Sequence, residues 1–176
     1  LNLREVAGLA TQSSNLKMAD WSERAVDRVA ALGAAGKVSP LGEQLFRWLY
    51  GRDPRSAVSV LEILMAGLAV HRHLTPRDRE AVARYAMLEF SNSRCRTCEG
   101  AREAVLRDGE VIVCHDCQGS GLATVTNEAR AAGCGVHRRE YRGRVEGPLE
   151  MALDWLREAD RLTNAAVGKE LGRGQA

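Results

Sequence analysis

From about residue 20 onward the apolar positions fall into helical register. Ala25, Val29 and Leu32 recur along one side of a first stretch, and Leu45, Trp48 and Leu49 along a second, so each predicts a helix with one buried face. Three dipeptides punctuate this pattern: Ser39-Pro40, Asp53-Pro54 and Thr75-Pro76. In each, a side-chain oxygen is placed to cap a free N–H, and the proline falls at the first helical position, where its missing N–H has no intrahelical partner to lose. The predicted helices run over 20–35, 40–50, 54–72 and 76–91, and their apolar faces pack as a small bundle. Residues 1–18 show no period, carry the polar cluster Thr11 to Asn15, and read as a flexible tail.

The register breaks at Ser91-Asn92-Ser93. Ala104 to Val113 reads instead as two short β segments around Asp108-Gly109, a hairpin turn signal. Helical spacing resumes at Thr126 or Asn127, pauses from Gly133 to Gly135, and continues to about Val145. Pro148 then opens a last helix whose apolar side is Leu149, Leu153, Leu156 and Leu162.

Composition narrows the classes. A chain of 176 residues, 45% hydrophobic and 5% aromatic, can bury one core or two small ones. A net charge of only +2 means that any nucleic-acid surface must be local. The most apolar run, Ala57 to Val70, is fourteen residues long and contains Glu62, so it predicts a core helix rather than a membrane span. Five cysteines without an apolar signal segment point to a reducing cytoplasm.

Four of those cysteines form two pairs, Cys95-Arg-Thr-Cys98 and Cys114-His-Asp-Cys117, separated by fifteen residues. Two cysteines three apart can grip one ion through a tight turn, and the second pair completes a tetrahedron once the intervening hairpin folds back. Gly100 and Gly119 each follow the second cysteine of a pair by two, where a positive φ turns backbone N–H groups toward the sulfurs. Four thiolates leave no position for a reacting water, so one structural Zn2+ is expected, a staple for a segment with little core. The plain alternative is redox-active or unliganded thiols. His115 lies inside the second pair and is expected outside the ligand set.

The other chemistry-bearing stretch is Asn127 to Tyr141, which has helix-turn-helix grammar. Ala131 permits a close helix crossing, Gly135 supplies a left-handed turn, and Val136 and Tyr141 give the second helix a buried side. That helix then presents His137, Arg138, Arg139, Arg142 and Arg144, with Arg130 on the helix before it. Four arginines against one acid between His137 and Arg144 make a local excess of +3, suited to phosphates and base edges alike. Arg130 and Arg144 stand where many such motifs carry apolar residues, and the alternative reading of all six is a solvated face with salt bridges. Cys134 reads as a small hydrophobe outside the metal quartet.

The whole is therefore a mainly α fold: a flexible N-terminal tail (1–18), a helical bundle (19–93), a zinc-binding finger with its β-hairpin (94–122), a helix-turn-helix DNA-binding region (123–147), and a C-terminal helix and tail (148–176). No P-loop, GxGxxG, HExxH or nucleophile elbow is present, and Asp53, Glu62, Asp78, Glu80 and Glu89 make no paired-carboxylate signature. No enzymatic activity and no small-molecule substrate are expected.

The order of helical bundle, Arg94-Cys-Arg-Thr-Cys98-Glu-Gly100, hairpin, Cys114-His-Asp-Cys117-Gln-Gly-Ser-Gly121, Ala-Arg-Ala and a long helical tail resembles the lambda-type phage late-gene antitermination protein Q family. The resemblance is clearest from Thr75 to Leu171. It implies zinc ligation by Cys95, Cys98, Cys114 and Cys117 and DNA contact by the basic helix. It further implies a factor that binds double-stranded DNA at a late promoter, engages paused RNA polymerase with or without a sigma factor, and travels with the elongating enzyme through terminators in the bacterial host cytoplasm, without a membrane. Two departures stand out: Ala101 where the first knuckle would have a second glycine, and a shorter hairpin. Two other readings compete. One is a zinc-stapled helix-turn-helix regulator acting only at initiation, and the other is a module like the zinc region of DnaJ-type cochaperones, which carries four knuckles where this chain has two.

Overall fold

The structure is a computed structural model and describes Gly33 and residues 39–49, 51–105 and 110–173. The tail expected over 1–18, the helix expected over 20–35 (Gly33 apart) and the Asp108-Gly109 turn lie outside the described residues. Among the described residues, the helices and strands follow in the order α1 Pro40–Leu49, α2 Pro54–Gly67, a 3-10 turn Leu68–Val70, α3 Pro76–Ser91, β1 Glu103–Val105, β2 Val111–Val113, α4 Asn127–Gly133, α5 Arg138–Arg144 and α6 Glu146–Arg173. The fold is mainly helical, as the periodicity predicts.

Each proline-led start is built as its sequence suggests. The Ser39 hydroxyl accepts from the Gly42 N–H at 3.0 Å, and Asp53 accepts from the Arg55 N–H at 3.0 Å. Thr75 and Asp78 form a reciprocal capping box: the Thr75 hydroxyl accepts from the Asp78 N–H at 3.2 Å while the Asp78 carboxylate accepts from the Thr75 N–H at 2.9 Å. The last helix starts at Glu146 rather than Pro148. Pro148 thus occupies the first turn, where no intrahelical acceptor awaits its missing N–H. The helix expected over 54–72 stays α-helical only to Gly67 before tightening into the 3-10 turn.

The chain divides into two compact units. One comprises residues 1–72 and 150–176 and the other residues 73–149, so α3 belongs with the cysteine pairs and the two short helices rather than with α1 and α2.

In the first unit, α1 packs on α2, and Leu45, Phe46, Val60, Leu64 and Leu68 are buried together with Leu153, Leu156 and Val167 of α6. Two glycines permit close approach. A Cβ at Gly42 would overlap the Thr163 hydroxyl and stand 2.9 Å from the Ala159 carbonyl oxygen, and one at Gly67 would stand 2.5 Å from the Trp155 ring. The apolar run Ala57 to Val70 is buried along one side only, for Val58, Ile63 and Val70 remain exposed.

The second unit is built on α3, whose buried residues are Val82, Ala83, Ala86 and Met87. The chain then forms the antiparallel pair β1–β2, with Ala104 opposite Ile112, before α4 and α5.

Gly42→Ala should lower stability by about 1–3 kcal/mol, because neither the buried Thr163 nor backbone can yield to the added methyl. Gly143→Ala meets open space within α5 and should instead raise stability by roughly 0.5–1 kcal/mol. Urea unfolding midpoints of the two variants check both signs.

Candidate metal centre and basic helix

The two cysteine pairs fold into copies of one local structure. After each pair comes a non-glycine residue in left-handed conformation, Glu99 at φ 50° and Gln118 at φ 50°, then the expected glycine, Gly100 at φ 90° and Gly119 at φ 79°. A tight N–H to carbonyl bond closes each turn, Ala101 to Cys98 at 2.7 Å and Ser120 to Cys117 at 2.9 Å. The equivalence extends two residues further and corrects one expectation. The counterpart of Gly121 (φ 74°) is Arg102 (φ 71°), not Ala101, so the first turn uses a side-chain-bearing residue where the second uses glycine.

The turns bring four sulfurs together. Cys95, Cys98, Cys114 and Cys117 are all buried, and their Sγ atoms all lie within 4.8 Å of one another. Sγ separations of 3.9 Å between Cys95 and Cys114 and 3.6 Å between Cys98 and Cys117 are far too long for disulfides. They suit a tetrahedron, whose edge is about 3.8 Å for a metal–sulfur bond near 2.3 Å. The Gly121 N–H points at Cys117 Sγ from 3.3 Å and supports negative charge there. Burial pushes the Cys117 thiol up, but the Gly121 N–H and the neighbouring thiols outweigh it and bring it down to about 7. The four cysteines are thus positioned to hold one metal ion. His115 is fully exposed and outside the cluster, as expected.

The same segment is closed at its ends. Cys95 N–H donates to the Gly121 carbonyl at 2.9 Å, Ala123 N–H donates to the Ser93 carbonyl at 2.8 Å, and Arg94 bridges Leu122 in antiparallel fashion. The Thr97 hydroxyl donates to the Asp116 carboxylate and links the two turns directly.

Beyond the closure, Thr126 caps α4 and Gly135 ends it in the left-handed region at φ 68°. Val136 N–H reaches the Ala131 carbonyl and Gly135 N–H the Ala132 carbonyl, each at 3.0 Å, which is the Schellman pattern of bonds. Ala131 and Tyr141 are buried as predicted, Val136 only partly. Cys134 is also buried; burial, reinforced by the Glu89 charge, pushes its thiol up to about 12 and leaves it unreactive.

The six basic candidates fall into two groups. His137 caps α5 through Nδ1, which accepts from the Arg139 N–H at 3.3 Å. Arg138, Arg139 and Arg142 are exposed, and Arg138 approaches Glu128 at 3.9 Å. Arg130 and Arg144 turn inward instead. Arg130 donates twice to Glu89, at 3.0 and 2.6 Å, with side chains only 16% and 9% exposed. Arg144 donates to Asp78 at 2.7 Å and stands 3.5 Å from Glu140. The sequence carries no signal for Asp78 and Glu89 as partners of these arginines, since each ion pair spans a long stretch of chain.

No protein-family model and no curated protein matches the chain. Among the described residues, no helix is long and apolar enough to cross a membrane.

Cys98→Ser or Cys117→Ser should abolish stoichiometric metal binding and unfold the segment around the cysteine turns. Metal analysis of purified protein and amide exchange over 94–122 check this, and wild-type protein without bound metal contradicts it. A second expectation concerns acid. Burial pushes the Asp78 carboxyl up, but bonds from Thr75 and the Arg144 guanidinium outweigh it and hold it below the ordinary 3.8. A depressed folded value contributes stability that is complete above the unfolded pKa and is lost as pH falls through the folded one. The stability gap between wild type and Asp78→Asn should therefore narrow as pH falls below the ordinary carboxylate value of 3.8. A gap independent of pH would show that the charge contributes nothing.

Proposed function

We propose that this chain is a transcription antitermination factor of the lambda-type protein Q kind. In this reading it binds double-stranded DNA at a phage late promoter, loads onto RNA polymerase paused nearby, and travels with the elongating enzyme through terminators in the bacterial cytoplasm. The observation that carries the reading is the placement, within one compact unit, of a four-cysteine metal site and a short helix with three outward arginines. The order of these parts along the chain supports it further.

The ion is proposed to be zinc, because four cysteine thiolates with tetrahedral spacing suit Zn2+ and leave no open coordination position for chemistry. Its role is structural, and the function requires no catalysis. Arg138, Arg139 and Arg142 are the proposed DNA contacts, with the α4–α5 pair acting as a helix-turn-helix. Their guanidinium forks serve phosphates and guanine edges equally well. Binding DNA beside a paused polymerase would raise the factor's local concentration there, so that a weak protein contact suffices to load it.

Transcription from a cognate promoter across a downstream terminator tests the reading. Readthrough should require both the factor and its promoter element, and a changed initiation rate without readthrough would favour the initiation-only regulator instead. Arg139→Ala and Arg142→Ala should each weaken binding to that promoter DNA, by about 1–3 kcal/mol where the side chain reads a base, with metal content unchanged. Mobility-shift titrations check the loss, and wild-type affinity in both variants would remove α5 from the interface.

A further inference from the structure

A helix of seven residues has too few internal bonds to hold its own conformation or direction, so the orientation of α5 is set by what α4 and α5 lean on. They lean on α3. Asp78 and Glu89 lie eleven residues apart, three turns along the same side of α3 and about 16 Å apart along its axis. Glu89 grips Arg130 of α4 at one end, and Asp78 grips Arg144 of α5 at the other. Between them the Tyr85 ring occupies the space that any side chain at Gly133 would need. At the Asp78 end, His73 Nε2 also stands 3.0 Å from the Arg144 carbonyl.

The two grips differ in kind. Asp78 is also bonded by the Thr75 hydroxyl and N–H, and Arg144 is 39% exposed, so Arg144 can turn toward a phosphate without leaving the acid bare. Arg130 has no such freedom. Its planar fork meets both oxygens of a carboxylate that is 9% exposed, and leaving would strand a nearly buried negative charge.

We infer that Glu89 is a positioning residue for DNA recognition, acting through Arg130, and that Arg130 does not itself touch nucleic acid. This rests on the DNA-reading proposal above. The pair fixes α4 on α3 and, through the Gly135 turn, the direction in which Arg138, Arg139 and Arg142 project. Residues of α3, outside the basic segment, thereby belong to the recognition apparatus.

The test uses the full-length, metal-loaded protein and two fluorescent duplexes, one enriched by the wild type from a random-sequence pool and one with its sequence shuffled. Arg130→Met and Glu89→Gln should each weaken binding to the enriched duplex about tenfold, and the double variant Glu89→Gln/Arg130→Met should lose no more than either single change. The dependence of log affinity on log salt should keep its wild-type slope, since no phosphate contact is removed. The opposite pattern overturns the inference: a slope reduced by about 0.9 in Arg130→Met, with Glu89→Gln binding as well as wild type or better, makes Arg130 a phosphate contact. Because Glu89→Gln removes the carboxylate that Arg130 grips and can unfold the unit, a second variant replaces both residues, Glu89→Met/Arg130→Met. It should fold with wild-type metal content yet lose preference for the enriched duplex over the shuffled one, and full retention of that preference overturns the inference. A wild type that enriches no duplex overturns the DNA-reading proposal and this inference with it, whereas an enriched duplex bound equally by all these variants overturns this inference alone.

Discussion

Four buried thiols with sulfurs 3.6 to 3.9 Å apart across the two pairs make a site that only a cation can stabilise in its ionised form. Four thiolates at these distances repel one another strongly, and one divalent ion both cancels half their charge and replaces the lost solvent. The surrounding segment offers little else: its buried cluster is the four cysteines themselves, with Ala104 packed against them. Left-handed backbone at Glu99, Arg102 and Gln118 carries a steric cost that a region without a conventional core cannot offset on its own. Metal coordination is the interaction that can hold both turns at once.

The closure that this makes possible decides where the next helices start. With Cys95 bonded to Gly121 and Ala123 to Ser93, the segment leaves beside the point where it enters, so α4 begins next to the end of α3. That adjacency lets Glu89, near the end of α3, meet Arg130 in the middle of α4. Metal centre, ion pair and basic helix are therefore successive consequences of one local fold. In the proposed function the ion orders the geometry of recognition and takes no part in chemistry.

Much of this was legible along the chain because its causes are local. The helix expected over 76–91 is found at Pro76–Ser91, since its start is written in Thr75, Pro76 and Asp78 within four consecutive residues. The left-handed glycines of the cysteine turns, the Gly135 stop and the burial of Ala131 and Tyr141 follow from the same short-range rules. Conformation at a residue that carries a side chain is less legible. Arg102 and Gly121 each stand four residues after the second cysteine of their pair, but only glycine signals a left-handed turn, so the same conformation at Arg102 is seen only in the structure. Pro148 marks a first turn without saying which of its positions it holds.

Helical segments, their caps, the four cysteines placed for a metal ion and an excess of positive charge between His137 and Arg144 are all written along the chain, because each depends on neighbours a few residues away. Tertiary structure alone decided what that charge faces. Glu89 and Arg130 are separated by 41 residues and Asp78 and Arg144 by 66, distances over which spacing carries no information about partnership. Once the chain folds, a planar guanidinium near a carboxylate shielded from water gains a strong paired bond, while Arg138, Arg139 and Arg142 remain exposed to solvent. Six similar basic side chains thus acquire different roles through burial and proximity, which belong to the fold and not to any stretch of sequence.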